Sequence, residues 1–107
     1  FWILGGMPKK NDKIILNGLK KNILRSYIIG KNINFFKRQI KGQIKFYETR
    51  TIRKSILRIF RDIRALKKKN STILLSPSSA SYDQYLNFEK RGEEFKRLSK
   101  FYARKYF

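Results

Sequence analysis

The chain contains neither cysteine nor histidine in its 107 residues. Structural zinc, thiol chemistry, disulfides and a Ser-His-Asp triad are therefore excluded within this segment, and any chemistry must rest on Lys, Ser, Asp, Glu or backbone amides. Long apolar runs are missing too. The longest, such as "YIIG" and "TILL", fall far short of the roughly 20 residues a membrane span needs, and no cationic start with a small-residue cleavage site is visible. A cytoplasmic location and no membrane partner are the expectation. Acids are scarce: 7 Asp and Glu stand against 27 Lys and Arg, a formal charge of +20. Such a balance makes nucleic acid or an anionic surface the first partner to weigh. The positive charge is spread along the whole chain, however, which is the pattern of solvated faces loaded with Lys.

The length suits one domain with a single modest core. Period and punctuation then divide the chain. Phe1 to Leu4 reads as a short apolar strand ended by Gly5-Gly6. About Ile14 to Lys21 reads as a short helix with Ile15, Leu16 and Leu19 inward. "LRSYIIG" is the next strand, closed by Gly30. In "NINFFKRQI" the residues Ile33, Phe36 and Ile40 recur at helical spacing, and Gly42 stops that helix. "QIKFYE" alternates as a half-buried strand. From Thr51 to Lys67 the set Ile52, Ile56, Ile59, Phe60, Ile63 and Leu66 forms an apolar stripe, with Arg53, Arg58, Arg61 and Arg64 opposite. "STILLSP" is a buried strand, and Phe88, Phe95, Leu98 and Tyr102 mark a C-terminal helix. Strands alternating with helices in this way predict an α/β fold: a Rossmann-like layer, a mostly parallel sheet with helices on both faces. In such sheets ligands sit outside the carboxyl ends of the strands. The loops after Leu4 and after Leu75 are thus the places to look for function.

The first of these loops is "GGMPKKND", a glycine turn with Lys9 and Lys10 just beyond it. It is neither a Walker A loop nor GxGxxG, and alone it is ordinary turn chemistry with a solvated Lys. The second opens "LLSPSSASYDQYLNFEKRG". Ser76 and Pro77 stop the strand, and Ser78, Ser79, Ala80 and Ser81 form a small-residue loop that lets backbone amides approach a ligand. Ser81 with Gln84 fits a capping box, a purely structural role worth about 1 kcal/mol. The same helix start also offers unsatisfied amides to a carboxylate. Asp83 and Glu89 read as cap and helix-dipole residues.

The stretch "LLSPSSASYDQYLNFEKRGEEF" closely resembles the C-terminal signature of the Mur ligases that add D-glutamate, LLSPACAS-hydrophobic-DQF-x-NFE-x-RG-x-x-F. "LGGMPKKND" is similar to that family's LGG-x-x-K-x-x-D turn at the matching distance upstream, and "YIIG" falls where the family has its next strand and glycine. The resemblance spans essentially the whole chain. It implies a single domain over residues 1–107, most of the ligase C-terminal, D-glutamate-presenting domain without its first strand and helix. By the same resemblance, Lys9 binds a carboxylate of D-glutamate, and Ser81, Tyr82 and Phe88 contribute side-chain or backbone contacts to that amino acid; no catalytic or metal residue falls in this segment. Tyr82 replaces the usual Leu or Phe, and Ser78-Ser79 replace Ala-Cys.

The activity implied is ATP-dependent amide formation, adding D-glutamate to UDP-N-acetylmuramoyl-L-alanine in peptidoglycan precursor synthesis. ATP and Mg2+ would be handled by the missing N-terminal and central domains, so this piece alone is expected to be inactive and to bind no cofactor. Two other readings stand beside it: a basic nucleic-acid-binding module, which explains the charge but not the Ser-rich turn, and a non-functional remnant of the ligase gene.

Overall fold

The structure, a computed structural model, describes residues 1–6, 14, 16, 18–68, 70–75 and 88–106. The first two strands are buried on both faces, and the alternation of their side chains between two clusters decides the layering. β1 (Trp2–Gly5) pairs in parallel with β2 (Ser26–Ile29), so that Ile3 stands beside Tyr27 and Leu4 beside Ile28. Side chains at matched positions leave the same face of the sheet. Ile3, Tyr27 and Ile29 enter one core cluster, and Leu4 and Ile28 enter another. β3 (Phe46–Arg50) flanks β2, and the two-residue β4 (Leu74–Leu75) flanks β1, giving an all-parallel sheet in the order β3-β2-β1-β4.

The helices cover both faces, as expected from sequence. α1 (Ile33–Ile40) buries Ile33, Phe36 and Ile40 against Leu4 and Ile28. On the opposite face α2 (Ile52–Leu66) lays down Ile52, Ile56, Ile59, Phe60 and Ile63, and α3 (Phe88–Tyr106) adds Leu98 and Tyr102 to the same cluster. Each such buried Ile contributes about 1.5–3 kcal/mol relative to exposure. Thr51 caps α2 by accepting the Lys54 amide at 3.1 Å, and Lys67 ends it in the left-handed region at φ +56°. Among the described residues no helix is long and apolar enough to cross a membrane.

Four expectations shift. Ile14 and Leu16 are not helical; a 3-10 turn, Leu19–Asn22, follows Gly18 instead. Glycine at position 18 costs a helix interior about 1 kcal/mol, and the Ile14 amide donates to Oε1 of Gln39 rather than entering a helical ladder. Leu16 is still buried beneath α1. β3 starts three residues later than "QIKFYE" suggested, because the Gln43 and Ile44 amides both turn back to the Ile40 carbonyl, at 3.0 and 3.1 Å. Leu66, assigned to the buried stripe, is 38% exposed where the chain turns away at Lys67. β4 is shorter than "STILLSP", whose Ser76 and Pro77 lie outside the described residues.

One acid is buried. Asp62 on α2 accepts the Tyr27 hydroxyl at 2.6 Å on Oδ2, and its Oδ1 takes Arg25 at 3.0 Å and Arg58 at 3.2 Å. The Arg58 guanidinium lies 4.1 Å from the Tyr47 ring centroid, and that ring stacks on Tyr27 at 5.7 Å. The cluster pins α2 to β2. Burial first, and then the bond to Asp62, raise the Tyr27 pKa far above the ordinary tyrosine value of 10.0.

Two consequences are measurable. Asp62→Ala strands a buried hydroxyl and two guanidinium groups and should cost about 3 kcal/mol or more in denaturant melts. Tyr27→Phe should cost about 1–2 kcal/mol near neutrality. Above about pH 10 the unfolded chain loses the Tyr27 proton while the folded one keeps it, so this contribution to stability declines as pH rises. Melts of Tyr27→Phe and wild type should therefore converge on the alkaline side. A gap that widens there would contradict the assignment.

Candidate functional site at the strand carboxyl ends

The strand order places a reversal in the middle of the sheet. The chain runs outward from β1 through β2 to β3, then crosses to the other side of β1 to form β4. β1 and β4 are thus neighbours whose connections run in opposite directions, with Ile3 beside Leu75. Such a switch point opens a crevice outside the strand carboxyl ends, where open α/β sheets take their ligands. Both segments singled out by sequence leave the sheet here, one after Gly5-Gly6 and the other after Leu75.

The glycine turn is shaped by its neighbours. Gly5 has φ +149° and Gly6 φ +117°. A Cβ on Gly5 would lie 2.2 Å from the Ile29 carbonyl oxygen and 2.8 Å from its Cγ1, so β2 occupies the space a side chain would need. The Gly6 carbonyl accepts Nδ2 of Asn32 at 3.0 Å. On the next strand Gly30, at φ +87°, donates its amide to the Arg50 carbonyl at 2.8 Å, and Arg50 itself sits at φ +70°. A register shift between Ile28 and Ile29 accompanies this bend. Three successive strand ends are thereby tied together. Exposed Lys31, Arg50 and Lys54 stand at this rim, giving it a positive potential suited to an anionic ligand.

Of the sequence-derived site residues, Lys9, Ser81 and Tyr82 lie outside the described residues, as does Asp83. Phe88 is the first residue of α3, and Glu89 stands in its first turn. The topology brings together the strand ends from which the segments of Lys9 and Ser81 depart. Sequence reasoning passed over Asn32 and read Gly30 only as the end of a strand. An Asn at the start of a predicted helix was the available signal for the former, but it reads as a cap.

Among the described residues of the turn, the Ile29 carbonyl fills the space beside Gly5 and the Gly6 carbonyl is engaged by Asn32.

Substituting Gly5 by Ala tests the close approach. The added Cβ meets backbone, not a flexible side-chain end, in a conformation few L-residues adopt, so a loss of about 3 kcal/mol or more is expected. Gly18→Ala, where nothing lies within 4 Å of the added Cβ, should fall within about 0.5 kcal/mol of wild type. Parallel thermal melts decide it, and equal effects at the two sites would refute the packing account.

No protein-family model matches the chain. Individual relatives do. It is 33% identical over 98 residues to the UDP-N-acetylmuramoylalanine--D-glutamate ligase of Nitrobacter winogradskyi, covering 92% of this chain and 21% of the relative. The ligase of the same name from Bradyrhizobium diazoefficiens is 36% identical over the same shares, and that of Ruegeria pomeroyi 35% identical over 94 residues, 88% of this chain and 19% of the relative. The chain spans about one fifth of the length of these curated relatives. Over about nine-tenths of its length the chain is thus similar in sequence to part of the UDP-N-acetylmuramoylalanine--D-glutamate ligases.

Proposed function

We propose that this chain is the D-glutamate-presenting portion of an ATP-dependent amide-forming ligase that extends UDP-N-acetylmuramoyl-L-alanine in the cytoplasm. The observation that carries the reading is the adjacency of β1 and β4: the two segments bearing the ligase-like motifs depart from neighbouring carboxyl ends at the sheet's switch point. The names of the relatives supply the substrate class.

In this reading Lys9 holds one D-glutamate carboxylate by a charge-assisted contact. Ser81, with amides at the helix start and contacts from Tyr82 and Phe88, holds the amino acid from the facing segment. Two carboxylates gripped from two sides leave the amine projecting from the crevice. The chain's contribution is orientation: it converts encounter between amine and activated L-alanine carboxylate into a pre-aligned approach. ATP and Mg2+ would supply that activation from elsewhere in the ligase, of which this chain spans about one fifth.

A complete ligase can be made by joining the upstream portion of a curated relative to this chain. In it, Lys9→Ala removes a charge-assisted bond worth about 1.5–3 kcal/mol, raising the D-glutamate KM by about ten- to over a hundredfold while the ATP KM hardly moves. Ser81→Ala raises the D-glutamate KM less and costs about 1 kcal/mol of stability through the lost cap. An unaltered D-glutamate dependence in Lys9→Ala would reduce Lys9 to a solvated surface charge and remove the proposal. The 107-residue chain by itself should hydrolyse no ATP in a phosphate-release assay; turnover would assign the nucleotide site wrongly.

A further inference from the structure

The glycine turn after β1 carries a hold that the D-glutamate reading leaves unexplained. Asn32 stands at the N-cap of α1, where Asn ordinarily accepts a helix amide, yet its side chain makes no capping bond. Its Nδ2 donates instead to the Gly6 carbonyl at 3.0 Å, reaching a residue 26 positions earlier. The half-buried amide thus gives up a cap to clamp a turn on another strand.

The turn needs such a clamp. Glycines at φ +149° and +117° have no Cβ to select among backbone conformations, so the path of the chain must be imposed by neighbours. Two neighbours act. The Ile29 carbonyl, packed where a Gly5 side chain would be, fixes how closely β1 lies against β2. The Asn32 amide fixes the Gly6 peptide plane, the last link before the segment that carries Lys9. Asn32 is itself held from behind, because Gly30, two residues before it, donates to the Arg50 carbonyl at 2.8 Å.

We infer that Asn32 is a positioning residue for the dicarboxylate amino acid, acting through its Nδ2–H bond to the Gly6 carbonyl, which holds the last described peptide before the segment that carries Lys9. The inference rests on the D-glutamate reading above. It adds to that reading a residue that touches no substrate and lies outside both ligase-like motifs. Displacement of a positioned group by about 1 Å is enough to cost orders of magnitude in a reaction that depends on alignment.

The test uses the completed ligase with Asn32→Ser and Asn32→Ala, each alone and combined with Lys9→Ala. A Ser hydroxyl is too short to replace the bond to Gly6 but is itself a good N-cap, so Asn32→Ser should melt no lower than wild type. Its D-glutamate KM should nevertheless rise about fivefold or more, with the ATP KM unchanged within about twofold. Lys9→Ala should then raise that KM by a smaller factor in the Asn32→Ser background than in wild type, since the two residues act through one turn. An Asn32→Ser enzyme with an unchanged D-glutamate KM, while Lys9→Ala still raises it, overturns the inference and leaves the D-glutamate reading standing. If Lys9→Ala also changes nothing, both fall. A lower melting point for Asn32→Ala with its D-glutamate KM unmoved, or fully multiplicative effects of the paired substitutions, would make Asn32 a structural tie only.

Discussion

The carbonyl of Ile29 sits where a side chain on residue 5 would be, and most of the molecule's useful geometry follows from that contact. It holds the carboxyl ends of β1 and β2 closer than any residue but glycine allows. With β1 drawn against β2 on one side, β4 pairs on the other, and the reversal of strand order falls beside the glycine turn. A looser β1 would leave the strand ends at the same rim without a defined exit from either. The constraint is backbone against backbone, and no side-chain rotamer relieves it.

The division of labour between the two faces explains why so short a chain forms a layer. α1 closes one face with three buried side chains, whereas α2 and α3 close the other with a larger cluster of Ile, Phe and Tyr. Arg58 and Arg25 are counted by composition as surface charge, but both converge on Asp62 and lie over or beside Tyr47. Their hydrocarbon and π faces pack while their charge is met by the one buried acid among the described residues.

The layer was legible in the sequence where period is strong and local. Ile52, Ile56, Ile59, Phe60 and Ile63 all face the core, and the strand in "LRSYIIG" pairs in the centre of the sheet. Legibility failed where a single turn residue or a distant partner decides. Gly18 converts an apolar stretch into a 3-10 turn, the Ile40 carbonyl captures two residues of an expected strand, and Leu66 escapes burial at a helix end. The site divides the same way. The motifs around Lys9 and Ser81 could be read directly, since short signatures survive without tertiary knowledge. Asn32 could not, because its partner is 26 residues away and its position suggests a cap. Asp62 left only the faint trace of Arg58 four residues before it.

Asp62 also bears on how the chain tolerates its own charge. A formal +20 on 107 residues loads the surface with mutual repulsion that favours expansion. That repulsion acts through water and fades when counterions gather, with a screening length of about 10 Å at 0.1 M ionic strength. The attraction at Asp62 is different: its side chain is 8% exposed and its guanidinium partners lie within 3.2 Å, inside any ionic atmosphere. Salt therefore weakens what pushes the fold apart far more than what ties α2 to β2. Added salt is thus expected to favour the folded state over the expanded one.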